Sequence, residues 1–418
     1  MMSLEGPFIA ALIARLPDPK FNLAAYGIAF SFALLIEAPI IMIMSASTAL
    51  VNNNDSFKKL RNFTYFLNLF ITLFMLFTLI PDIFYFITIN LMTLPDHVAK
   101  LTHYALLILL PWPSTIGYRR FYQGILIKNN LTKRVAYGTV LRLTSMTITA
   151  ITLFLFTKIP GSVVGAAAMS IGVTVEAIAS KLMCNSTLKK IKEKESQSTG
   201  LLKYSEITKF YYPLALTSML SLGVQPMVSF FLGQSRMAIE SLAVLPVINS
   251  LVFIFRSIGL SFQEVGIALI GHHGENYSVL KKFAQILGFS ATLILVLIAV
   301  TTLSEFWFRN VSGLSMELTQ FAIWPLIIIS IMPGLSVMLS FERSVLVYAK
   351  KTSPITFATA IEVIGIILIL FITVKYFNWI GVIAATTAFT IGRLGSISYL
   401  IPSFIKTTKQ YEGSVRKN

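Results

Sequence analysis

The sequence predicts an all-α polytopic membrane protein built from two six-helix bundles related by a pseudo-two-fold axis along the membrane normal. Three observations predict it. Of 418 residues, 55% are hydrophobic and only 12% charged, where soluble domains carry about 25% charged residues. Apolar runs recur along the whole length; in lipid such runs must be helices, because every backbone polar group needs a partner within its own segment. A β-barrel would instead show short alternating segments. Finally, the second half of the chain repeats the first.

Twelve apolar segments are read at about 4–16, 23–51, 62–90, 101–127, 135–157, 161–183, 210–233, 241–270, 283–303, 318–347, 354–374 and 380–404. The first is too short. Thirteen helical residues rise roughly 20 Å against about 30 Å of hydrocarbon, and the segment holds Glu5 and Pro7 before the breaker LPDPK. It is expected to be half a helix, either re-entrant or the remainder of a helix whose start lies upstream of Met1-Met2. KKIKEKESQSTG, residues 189–200, is low-complexity and polar, and reads as a cytoplasmic linker. The expected organisation is therefore a first bundle over 1–188, a linker over 189–203, a second bundle over 204–405 and a basic cytoplasmic tail over 406–418.

The repeat lies in three ordered blocks. GSVVGAAAMSIG (161–172) aligns with GVIAATTAFTIG (381–392), and NNLTKRVAYGTVLR (129–142) with AKKTSPITFATAIE (349–362), both at an offset of 220. LAAYGIAFSFALLIEAPI (23–40) aligns with LAVLPVINSLVFIFRSIG (242–259) at 219. An even number of helices per half gives both halves one orientation. The alignment sets Glu37 opposite Arg256 and Arg142 opposite Glu362, so both pairs invert in sign.

The net charge of +16 is accounted for by topology. The even-numbered loops and the tail hold 20 Lys and Arg residues, the odd-numbered loops 7. The positive-inside rule then places the even loops and the C-terminus in the cytoplasm. Nucleic acid is not an expected partner.

Twelve ionisable residues fall inside predicted spans: Arg119, Arg120, Arg142, Lys181, Arg256, Arg343 and Arg393 against Glu37, Glu176, Glu264, Glu342 and Glu362. A charge at the bilayer centre costs at least about 2.5–3.5 kcal/mol on insertion scales, so such groups face a cavity or a partner. Lys181 and Arg343 can reach the interface along their stems. Glu37 has two readings. It is a structural ion pair with Arg142 or Arg256, or it is a titratable carboxylate whose protonation is coupled to movement of the halves. Arg256 and Glu264, eight residues apart, lie within about 80° of each other two turns apart on one helix, with Gln263 beside them; they are either a polar stripe facing a cavity or partners in hydrogen bonds between helices. Arg119 and Arg120 point about 100° apart, so only one can face a given site. A guanidinium there would hold a carboxylate or phosphate through its planar fork, or the pair marks the cytoplasmic end of the fourth segment. Glu37 and Glu264 are the candidate ion-coupling acids; Arg119, Arg142, Arg256, Gln263 and Glu362 are the candidate substrate-binding residues.

Pro39, Pro111, Pro113, Pro213, Pro226, Pro246, Pro325 and Pro333 are expected to kink helices. His272-His273 has no ligand set around it, no nucleophile–base set suggests an enzyme, and no phosphate-binding loop suggests ATP hydrolysis. The single cysteine, Cys184, cannot form an internal disulfide.

YGIAFSFALLIEAPIIMIMSASTALV (26–51) in the second segment, YYPLALTSMLSLGVQPMVSFFLGQS (211–235) opening the second half and SLAVLPV (241–247) resemble the multidrug and toxic compound extrusion (MATE) transporters of the multidrug, oligosaccharidyl-lipid and polysaccharide exporter superfamily, with similarity also to its progressive-ankylosis-type branch. The resemblance implies twelve helices, here with the first truncated, a V-shaped pair of bundles, alternating access and no cofactor beyond a proton or sodium gradient. Many MATE proteins use an acid in the first helix as the cation site; that helix is cut short here, and the role is not carried onto Glu5. The expected function is ion-coupled export of a small amphipathic or anionic solute by a monomer in the inner (plasma) membrane. The surplus of intramembrane arginine points to an anion. The alternatives are a flippase for a lipid-linked anionic precursor and a non-transporting membrane scaffold.

Overall fold

The structure is a computed structural model that describes residues 5–193, 202–270, 275–349, 351 and 353–415. Most of the 189–203 linker and the His272-His273 pair therefore lie outside the described residues. In the first half the helices are α1 Glu5–Ile13, α2 Pro19–Glu37, α3 Ile43–Leu50, α4 Asn54–Thr78, α5 Pro81–Tyr85, α6 Asp96–Ile108, α7 Trp112–Lys128, α8 Thr132–Phe156 and α9 Gly161–Glu193. In the second they are α10 Tyr204–Leu222, α11 Val224–Gly233, α12 Ala238–Leu269, α13 Tyr277–Val300, α14 Leu303–Glu305, α15 Met316–Ile329, α16 Met332–Tyr348, α17 Ser353–Lys375 and α18 Gly381–Val415. No strand forms among the described residues; one parallel bridge joins Arg236 and Ile380.

Ten helical stretches among the described residues are long and apolar enough to cross a membrane. They match ten of the twelve expected segments. The other two fail for physical reasons. The first is the nine-residue α1, of half-helix length as expected. The second is divided into α6 and α7 at Leu109–Pro111, where Pro111 lacks the amide that would continue the ladder. Proline breaks account for other interruptions too: Pro39 follows the end of α2, and Pro333 sits in the first turn of α16. Pro246, Pro325 and Pro402 stay inside continuous helices.

The duplication is written in the backbone. A single π-helical stretch, Phe86–Leu91, recurs 220 residues on as Phe306–Val311. Each closes with the same six-residue return, Leu94 N to Thr88 O at 3.0 Å and Leu314 N to Phe308 O at 2.9 Å. Thr93 (φ 56°) and Gly313 (φ 76°) take the left-handed conformation at the same register. So do Asp18 (φ 51°) and Met237 (φ 55°), which cap α2 and α12 at an offset of 219.

The helix crossings repeat as well, with the small residue exchanged between partners. On α7, a Cβ at Gly117 would stand 2.4 Å from Ile40 Cγ1, and one at Gly124 would stand 1.8 Å from Ser47 Oγ. In the second half the glycines are on α12: a Cβ at Gly259 would stand 2.9 Å from Val337 N, and one at Gly266 would stand 2.6 Å from Ser344 Oγ. Ile40 and Ser47 precede Gly259 and Gly266 by 219 residues; Gly117 and Gly124 precede Val337 and Ser344 by 220. Both crossings are thus parallel, touch at points seven residues apart, and need glycine on one side only.

The chain divides into two compact units, one of Glu5 with residues 12–230 and one of residues 6–11 with 231–415. The repeat boundary at 204 follows sequence, whereas compactness follows packing: α10 joins the first unit. Its Tyr211 hydroxyl donates to Pro39 O (2.6 Å) and its Ser218 hydroxyl to Ala38 O (2.7 Å). These are carbonyls released where α2 stops, and a helix end left without such partners is costly. The outer faces are lined by exposed Phe66, Phe70, Phe74 and Phe77 on α4 and by Phe283, Ile286, Phe289 and Leu293 on α13. Apolar faces of this size suit lipid rather than water.

Gly124→Ala should lower stability by about 1–3 kcal/mol, because the methyl group meets Met44 O as well as Ser47. Gly365→Ala, whose Cβ would meet only Gly392 Cα at 3.7 Å, should melt within a degree or two of wild type, since most substitutions clear of such features are nearly neutral. Melting of both proteins in detergent checks the contrast.

Candidate functional site

In the first unit, Glu5 and residues of α2, α7, α8 and α9 carry an ionic network. Glu37 is the last residue of α2 and is 3% exposed. The negative end of a helix dipole is a poor place for a carboxylate. What holds it is Trp112, the first residue of α7, whose indole Nε1 donates to Glu37 Oε2 at 2.5 Å. The Arg142 guanidinium on α8 lies 5.9 Å from the Trp112 ring centre, a cation–π distance. Arg142 donates through Nη2 to Glu5 Oε2 and pairs through Nη1 with Glu176 Oε2 at 3.7 Å. Glu176, fully buried on α9, also accepts from Arg119 Nη1 and, through Oε1, from Gln123 Nε2 at 3.0 Å. Arg120 points elsewhere, toward Met44 Sδ at 3.8 Å. Counting Arg120, three arginines (Arg119, Arg120, Arg142) and three glutamates (Glu5, Glu37, Glu176) lie in this part of the first unit, and their formal charges cancel. Glu5 Oε1 is enclosed without a hydrogen-bond partner.

The second unit is built differently. A Cβ on Gly392 would stand 3.0 Å from Glu362 O, so α17 and α18 run close together. The next residue, Arg393, donates through Nε to Glu362 Oε1 at 2.9 Å, with Nη2 at 2.8 Å from the same oxygen, and its Nη1 lies 3.4 Å from Ser336 Oγ on α16. Arg256 lies one turn before Gly259, the residue that brings α12 against Ser336 and Val337. Arg343 precedes Ser344 at the second crossing point and donates to Thr359 Oγ1 at 3.0 Å. Glu342 is 2% exposed and its Oε2 has no partner.

Of the residues expected from sequence, Arg119 and Arg142 meet in one network, Glu362 pairs with Arg393 in the second unit, and Arg256 makes no ion pair among the described residues. Glu37 is held by an indole, and Arg142 is committed to Glu5 and Glu176. Gln263 is half-buried with no hydrogen bond among the described residues, and the side chain of Glu264 lies outside them. Lys181 is exposed, its ammonium 5.9 Å from the Tyr118 ring. Arg343, by contrast, turns inward to Thr359 rather than to the interface. Sequence reasoning missed Trp112, Gln123 and the hub role of Glu176. The signal available was spacing: Glu176 and Arg393 lie on the sixth helix of each repeat, one turn apart in register.

No family model and no curated protein matches the sequence. Solved structures do. An inward-facing multidrug resistance MATE family transporter of the MOP superfamily matches with TM-score 0.75 and 14% identity, over 98% of this chain and 94% of that one. The lipid II flippase MurJ, inward closed, matches with TM-score 0.72 and 17% identity over 98% and 87%. A MOP superfamily transporter from Pyrococcus furiosus, described by the reverse polarity of its binding pocket, matches with TM-score 0.64 and 14% identity over 98% and 91%. The chain therefore has the fold of the MATE and MOP transporters, a multi-pass all-α membrane fold.

Glu176→Gln should cost about 3–5 kcal/mol, since it leaves Arg119 and Arg142 buried with one acid fewer than they need. Lys181→Gln, at the exposed face, should change stability by no more than about 0.5 kcal/mol. Unfolding followed in detergent by intrinsic fluorescence distinguishes the two.

Proposed function

We propose that this protein is a secondary active transporter that exports a small amphipathic or anionic solute by alternating access, driven by a proton or sodium gradient. The observation that carries the reading is Glu37. It is a buried carboxylate inside a span, and its hydrogen bond comes from the neutral Trp112 indole rather than from a cation. Protonation there removes a formal charge from the membrane without breaking an ion pair in its own bundle. The fold supports the reading, since the matched solved proteins include MATE transporters in inward- and outward-facing conformations. Glu5 joins Glu37 as a candidate coupling acid. Its carboxylate is paired on one oxygen and unpartnered on the other.

The test is flux into inside-out proteoliposomes with an imposed proton or sodium gradient and a panel of organic anions and cations. Gradient-dependent uptake of anions is expected, and Glu37→Gln should lower it at least about tenfold with normal folded yield, the range a positioned acid–base group contributes. Full activity of Glu37→Gln would remove it from coupling; uptake of cations alone would overturn the anion assignment. The C-terminus lies in the cytoplasm on the positive-inside count, so a C-terminal fluorescent fusion should fluoresce and a C-terminal alkaline phosphatase fusion should be inactive.

A second reading, a flippase for a lipid-linked anionic precursor, is favoured by the arginine surplus of the second unit and by the likeness to MurJ. It predicts movement of a fluorescent lipid-linked anion between leaflets and no flux of free solutes.

A further inference from the structure

Glu37 and Trp112 stand at two helix breaks. Glu37 closes α2, and residues 38–42 form turns before α3 begins at Ile43. Trp112 opens α7 directly after the Leu109–Pro111 break. An indole has a single donor, and Trp112 gives it to Glu37 Oε2. Phe30, two turns before Glu37 on α2, meets the Trp112 ring edge to face at 5.9 Å, so α2 holds the indole at two points. The Arg142 guanidinium lies 5.9 Å from the centre of the same ring, and Arg142 goes on to Glu5 and Glu176. Glu37 itself makes no ion pair among the described residues. Around it, Arg119 is engaged by Glu176 and Arg120 by Met44 Sδ, Tyr211 of α10 donates to Pro39 O and His103 of α6 to Leu79 O. The buried face of α4 carries no ionisable group.

The charge state of Glu37 therefore reaches the network through the indole. An ionised carboxylate makes the N–H···O bond charge-assisted and polarises the ring, which strengthens the pull of its face on a guanidinium. A protonated Glu37 leaves a neutral hydrogen bond and a weaker hold on Arg142, whose remaining partners are Glu5 and Glu176. Packing alone does not call for an indole here. The repeat register places Met332 where Trp112 stands and Arg256 where Glu37 stands. Met332 also opens a helix, α16, and is also followed by proline. It is buried, so the scaffold closes around a thioether that has no N–H to give. α12 runs through Arg256 without a break. The donor, the acid and the paired breaks occur together in the first repeat and do not recur together in the second.

We propose that Trp112 is the positioning residue of the coupling acid. Its N–H holds the Glu37 carboxylate where the two breaks of the first bundle meet, and its ring passes the charge state of Glu37 to Arg142 and so to Glu5. The role in coupling rests on the transporter reading above; the relay from Glu37 through Trp112 to Arg142 does not.

Two measurements on the full chain test it. In the first, Trp307, Trp324 and Trp379, all in the second unit, are replaced by Phe, which leaves Trp112 as the only one of the four tryptophans. Its emission is followed against pH in detergent. One titration midpoint is expected; it should vanish when Glu37→Gln is added and should move with Glu5→Gln, which touches Arg142 and not the indole. In the second, gradient-driven flux is measured in proteoliposomes across a range of pH. Trp112→Phe keeps a ring for Arg142 and loses the donor. It and Glu37→Gln should each lower flux about tenfold, and the double variant about tenfold as well rather than about a hundredfold, because both remove one interaction. Trp112→Met copies the second repeat and guards against a Phe variant that packs badly; it should melt as wild type does and show the same loss of flux. Emission that does not depend on pH, or that titrates unchanged with Glu37→Gln, overturns the relay. So does a midpoint that Glu5→Gln leaves in place, and so does a Trp112→Phe protein with the flux and pH profile of wild type. Flux with a flat emission sinks the relay and leaves the transporter standing. A titrating emission that Glu37→Gln abolishes, in a protein that moves no solute, does the reverse.

Discussion

The interaction on which the rest depends is the pairing of arginine with glutamate inside spans that water does not reach. A lone charge at the bilayer centre is expensive, and the energy is recovered only where the partner arrives with good geometry and the remaining donors are used. Glu176 shows what that takes. Its two oxygens collect Arg119, Gln123 and Arg142 from two other helices. Fixing one residue in this way fixes the rotation of α7, α8 and α9 about their axes. Arg142 also holds Glu5, and it reaches α2 through the Trp112 ring and Glu37.

The second repeat keeps the backbone and changes the chemistry. The π-helical stretch, the left-handed residue after it and the two-point crossing of parallel helices all return at offsets of 219 or 220. At the crossing, what is retained is the space between helices. Either helix can supply the glycine, so long as one does, because backbone atoms approach closely only where a Cβ is missing on one side. With the crossing held, the residues one turn away are free to diverge. Glu37 and Trp112, in contact in the first repeat, align with Arg256 and Met332 in the second. The scaffold is kept while the ionic side chains it carries change between the repeats.

Much of this was legible in the sequence. Ten of the twelve segments are long apolar helices in the structure, because hydrophobic length is a one-dimensional property. The repeat offsets were legible because duplicated helices keep their spacing. The inverted signs at Glu37 and Arg256, and at Arg142 and Glu362, were visible as soon as the offsets were known. What could not be read was who pairs with whom. Glu37 had two arginines as candidates and is held by Trp112, a residue with no charge to draw attention. Arg343 was long enough to reach the interface along its stem, and only the structure shows that it donates to Thr359. Glu5, on a segment too short to weigh, closes the network.

The sequence by itself determined that this is a membrane protein of duplicated helices and which residues its membrane could not tolerate unpaired, because composition, spacing and repetition are properties of the chain. Only the tertiary structure decided the partners. Pairing depends on helix rotation and on the register of crossings, and those are set by where glycine lets two segments meet: Gly117 against Ile40 and Gly124 against α3 in one unit, Gly259 and Gly266 against α16 in the other.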